Sequence, residues 1–81
     1  MANYFRTLKW MIFRKRHVYL VHYLTTDKDE HGVEHVTERS LTLVTTMNPR
    51  KMNFNTMRAV LRKEDNNDTI EIETYNYQGK W

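Results

Sequence analysis

The chain has 81 residues, 40% hydrophobic and 28% charged, with two glycines, one proline, no cysteine and a formal net charge of +3. That length holds a single domain, residues 1–81, with a modest core, and the balance of apolar and charged residues excludes a disordered chain. Without cysteine there is no disulfide framework and no thiolate chemistry. No apolar run reaches bilayer-spanning length and no signal-peptide pattern is read, which gives the expectation of a soluble cytoplasmic protein.

Charge alternates in blocks. The first sixteen residues carry Arg6, Lys9, Arg14, Lys15 and Arg16 and no acid, whereas residues 27–38 carry Asp27, Asp29, Glu30, Glu34 and Glu38 against Lys28 alone. Arg50, Lys51, Arg58, Arg62 and Lys63 form a second basic group, and Glu64, Asp65, Asp68, Glu71 and Glu73 a second acidic one. Such blocks predict a molecule with two faces of opposite sign.

In chain order, residues 3–13 fit a helix: Tyr4, Phe5, Leu8, Met11 and Ile12 make one apolar stripe and Asn3 a cap, with Trp10 off the stripe as an exposed anchor. The density of aromatics leaves a strand as the alternative. Residues 17–25, free of Gly, Pro and acid, read as a central strand buried on both faces. A polar loop ending at Gly32, which can take a positive φ, leads into a returning hairpin strand over 33–46, with a bulge near 37–40 where the apolar parity changes. Pro49 marks a connection. A helix over 54–64 follows, capped by Asn53, with Phe54, Met57, Val60 and Leu61 as its buried stripe and Arg62 and Lys63 suited to its C-terminal dipole. Residues 69–77 alternate strictly and predict a strand with one wet face.

The connection rules assemble these into an α+β domain, α-β-β-α-β. It has a three-stranded sheet in the order 2-1-3, with the helices on one face. The expected core comprises Val18, Leu20, Leu24, Leu41, Leu43, Phe54, Met57, Leu61, Ile70 and Ile72.

The chemistry-bearing residues are scattered. His17 and His22, five apart in a strand, point to opposite faces, and His31 and His35 flank Gly32, so no metal site is expected. Ser40, the single serine, lies in a Thr-rich strand without a glycine elbow, and no phosphate loop is present. A ribonuclease-like use of His17 or His22 with Arg14, Arg16 or Tyr19 is a distant third reading. The expectation is therefore no catalytic residue, no cofactor and no enzyme. The binding candidates are Arg6, Lys9, Trp10, Arg14, Lys15 and Arg16, whose cations and interleaved aromatics suit phosphates and bases, or a membrane surface, or simply a core with a solvated rim. A secondary contact surface is the acidic set Asp27, Asp29, Glu30, Glu34 and Glu38.

The run Val18-Tyr-Leu-Val-His-Tyr-Leu24, the loop ending at Gly32, the 54–63 helix and the ending Thr74-Tyr-Asn-Tyr-Gln78 give the chain a layout that resembles small orphan bacteriophage proteins. The resemblance covers roughly residues 17–78 and contains no specific motif. It implies a non-enzymatic protein that binds and blocks a host or defence protein. The basic N-terminus departs from that pattern and keeps nucleic-acid binding as the alternative.

Overall fold

In the computed structural model, which describes residues 6–11 and 16–80, the elements in chain order are β1 Arg6–Trp10, β2 His17–Lys28, β3 Glu34–Thr45, α1 Phe54–Asp65 and β4 Glu71–Lys80. The strands form one sheet in the order β1-β3-β2-β4. β2 is antiparallel to both β3 and β4, and β1 runs parallel to β3.

This corrects the expected α-β-β-α-β domain with a three-stranded sheet. The described chain is mostly strand, with one helix and a four-stranded mixed sheet. The error lies in the N-terminal segment, where residues 6–10 are strand; residues 3–5 and 12–13 lie outside the described residues. A helix this short is marginal unless tertiary packing supports it. Laid along β3, the same residues satisfy their backbone groups in a ladder, and Leu8 and Trp10 pack on the core. Trp10 is thus half-buried against core residues and is not the exposed anchor its helical spacing predicts.

β2 is flanked on both sides but is fully buried on one face only. His17, Tyr19, Val21, Tyr23 and Thr25 are buried, the middle three against Met52, Met57 and Leu61, while Val18, Leu20, His22, Leu24 and Thr26 are half-buried on the open face. Val18, Leu20 and Leu24 are therefore not in the core. The core is Tyr19, Val21, Tyr23, Leu41, Leu43, Met52, Met57, Leu61 and Ile70. The two tyrosines are its largest side chains. Burial raises both phenols, that of Tyr19 to about 12 with further contributions from Tyr77 and Tyr75. Phe54, expected inside, is 53% exposed at the first turn of α1, and Ile72 is half-buried.

The helix starts where its cap dictates: the Asn53 side chain accepts the Thr56 amide at 2.9 Å. It ends at Asn66, whose φ of 49° is left-handed, and the Asn67 amide closes back on the Arg62 carbonyl at 3.0 Å. Pro49 lies in the loop before it, and two tyrosine hydroxyls pin that loop: Tyr19 donates to the Met47 carbonyl at 2.9 Å and Tyr75 to the Met52 carbonyl at 3.3 Å.

No bulge interrupts β3. Its register with β2 is continuous from Thr45 opposite His17 to Glu34 opposite Lys28, and the irregularities fall instead between β2 and β4, at Val18/Tyr19 and His22/Tyr23. The parity change in β3 has another cause. Residues 34–39 are exposed on both faces, so nothing constrains their alternation.

Candidate interaction surfaces

The hairpin outruns its neighbours. β4 pairs with β2 only as far as Leu24, and among the described residues β1 pairs with β3 from Leu41 onward. Beyond Leu24 the described residues show β2 paired with β3 alone, as an arm, and the molecule measures 47 × 27 × 18 Å. The turn at the arm's tip is organised by Asp29. Its Oδ1 accepts the amides of His31 and Val33, both at 2.9 Å, and its Oδ2 meets His35 Nε2 at 3.0 Å. Gly32, at φ 78°, supplies the left-handed residue that lets the chain turn back. The hydrogen bond from His35, followed by those from the two amides, holds the Asp29 carboxyl below its ordinary value.

The arm gathers the first acidic block. Asp27, Asp29, Glu30 and Glu34 are exposed on it, and Glu38 is exposed at its base, opposite Leu24. Glu34 faces Lys28 across the ladder, and Glu30 approaches His31 at 3.7 Å. The sign change of the sequence thus becomes a change along the length of the molecule, and not the two opposed faces expected.

The opposite end is formed by the row Trp10, Thr45, His17 and Lys80 across the four strands. The segments meeting there contain no acid: none occurs before Asp27, between positions 40 and 63, or after Glu73. A file of rings runs through this end. Phe54 meets Tyr75 with centroids 5.0 Å apart, Tyr75 meets Tyr19 at 6.1 Å, Tyr19 meets Tyr77 at 5.4 Å, and Tyr77 meets His17 at 5.7 Å. His17 Nδ1 and the Tyr77 hydroxyl also share a 2.8 Å hydrogen bond. Phe54 and Tyr77 are 53% and 41% exposed. Arg50 and Lys51 are exposed in the pinned loop, and Lys80 is exposed at the end of β4.

The basic candidates disperse. Arg6 is held by Asp65, Lys9 is exposed on the open-face register beside Val44, and Arg16 is exposed immediately before β2. Arg14 and Lys15 lie outside the described residues. Arg58 and Arg62 are committed to Glu71, at 3.4 and 2.6 Å. Sequence reasoning passed over Phe54, Tyr77 and Lys80 as surface groups and did not set Arg50 and Lys51 beside them. The signal available was the long acid-free stretch from 40 to 63 together with the i, i+2 spacing of Tyr75 and Tyr77, which puts both on one face of a strand.

On the open face, His22, Glu38, Arg39, Ser40, Glu73 and Thr74 line a shallow depression of about 410 Å³. His22 Nδ1 and Ser40 Oγ lie 2.8 Å apart. The pair resembles half of a nucleophile–base arrangement. Ser40 stands directly opposite His22 in the β2–β3 ladder. It acts as a cross-strand tie. Among the described residues no group of three or more His, Asp or Glu is placed to hold a metal ion, and no helix is long and apolar enough to cross a membrane.

No protein-family model, curated protein or solved structure matches this chain.

Proposed function

We propose that the protein is a non-enzymatic interaction module that docks its acidic β2–β3 arm on a basic surface of a protein partner and acts by occupying that surface. The observation that carries this reading is the arm itself: among the described residues, a β2–β3 projection with four exposed acids and a fifth, Glu38, at its base, its tip fixed by the three contacts of Asp29. A pre-ordered tip loses little conformational freedom on binding, and concentrated charge of one sign steers an oppositely charged partner. The layout resemblance to small phage proteins points to a host or defence protein in the cytosol as the surface that is blocked.

The test is a pull-down from nuclease-treated bacterial lysate with the wild-type chain and with an Asp27→Asn/Glu30→Gln/Glu34→Gln variant, which leaves Asp29 in place. A basic protein captured by the first and lost by the second is the expected result. Capture that is indifferent to the arm charges would refute the reading.

A further inference from the structure

We propose that the end of the molecule opposite the arm is a binding site for single-stranded nucleic acid, with Phe54 and Tyr77 as stacking surfaces and Arg50, Lys51 and Lys80 as phosphate contacts. This site is independent of the arm and of any protein the arm engages.

Three observations converge on it. First, the two exposed rings are not loose surface side chains. Phe54 rests edge-on against Tyr75 at 5.0 Å, and Tyr77 is held at 5.4 Å from buried Tyr19 and by its hydrogen bond to His17. Rings fixed in this way lose little freedom when a base stacks on them, and stacking is available to every base because each has a π-face. Second, the cations are borne on segments tied to the same ring file. The Met52 carbonyl accepts from Tyr75 and the Met47 carbonyl from Tyr19, which anchors to the file both ends of the loop bearing Arg50 and Lys51. Lys80 lies opposite His17 in the ladder, at the other end of the same file. Third, the segments building this end contain no Asp or Glu, whereas acids crowd the arm. A polyanion is therefore attracted here and repelled there, which favours this end as its docking position.

Single strands fit better than duplex. Phe54 and Tyr77 are exposed on and beside the edge strand β4, and unpaired bases can stack on such rings whereas bases paired in a duplex cannot.

The test is fluorescence anisotropy of a labelled oligothymidylate, and of a duplex of equal length, with the full chain. Three phosphate contacts predict a log–log salt slope of about −2, which is a loss of roughly fifteenfold between about 50 and about 200 mM salt. Arg50→Glu/Lys51→Glu, in an exposed loop, should abolish measurable binding without changing the circular dichroism. Phe54→Leu keeps an apolar side chain at the helix start but removes the ring, and should weaken binding about tenfold. The arm variant Asp27→Asn/Glu30→Gln/Glu34→Gln should bind as tightly as wild type or more so, which separates this site from the docking function of the arm. Absence of binding to oligothymidylate at low salt, or binding indifferent to both the loop and ring variants, overturns the proposal. So does duplex bound as tightly as single strand.

Discussion

Arg6 and Asp65, 59 positions apart, meet through two parallel hydrogen bonds, Nη1 to Oδ1 at 2.7 Å and Nη2 to Oδ2 at 3.0 Å. The contact ties the outer edge of the sheet to the last turn of the helix. Its bidentate form raises the Arg6 guanidinium further above its ordinary value, chiefly through the hydrogen bond to Asp65. It also removes Arg6 from the cations open to a ligand.

Because both side chains are partly exposed, the pair should be worth little in total stability, roughly 0.5–1 kcal/mol. A double-mutant cycle of Arg6→Ala and Asp65→Ala in urea should give a coupling in that range that shrinks with added salt. A coupling near zero would mean that the strand is held by its ladder and by Leu8 and Trp10 alone.

Asp29 carries a pH dependence whose sign is fixed. Its folded carboxyl lies below the ordinary value of 3.8 because the ionised form receives the hydrogen bonds of His35 and of two amides. The stabilisation it gives is therefore complete above that ordinary value and disappears as pH falls through the lowered one. Hydrogen exchange of the His31 and Val33 amides should rise at acid pH beyond the intrinsic rate, and Asp29→Asn should remove that added acid sensitivity. If the two amides exchange alike in both proteins across the acid range, the carboxylate is not what orders the turn.

Leu61 is fully buried and Leu20 only half so. Leu61→Ala should cost about 2–5 kcal/mol, and Leu20→Ala on the open face less than about 2 kcal/mol. Equal losses in denaturant titrations would place an unseen cover over the open face.

These contrasts mark what the sequence makes legible. Helix α1, with its Asn53 cap and its Met57–Leu61 stripe, can be read directly, because capping chemistry and 3.6-residue spacing are local properties. The lie of β4 beside β2 follows from connection rules. The face of β2 that enters the core cannot be read in the same way: Val18, Leu20 and Leu24 are as apolar as Tyr19, Val21 and Tyr23. What decides between them is which parity the helix covers, a tertiary choice favouring the larger rings. The state of residues 6–10 is settled by β3, since the sequence of the 3–13 segment offers both an apolar stripe at helical spacing and β-favouring aromatics. The acidic arm is visible as a charge block, but its projection depends on where β4 stops. The ring file joins positions 17, 19, 54, 75 and 77, and no local pattern brings these together.

The parallel pairing of β1 with β3 has a consequence for the order in which the molecule is made. Arg6 faces Leu41 and Trp10 faces Thr45, so during synthesis the first strand leaves the ribosome well before its partner exists. Parallel neighbours cannot be joined by a tight turn, and the whole β2–β3 hairpin must be laid down before this ladder can close. The hairpin, by contrast, needs only the Asp29 turn and zips from there. β1 is thus a late arrival on an edge already built, and its release leaves the pairings of β2 with β3 and β4 intact. In native-state exchange its amides should open at a lower free energy than those of Leu41 to Thr45 in their bonds to β2.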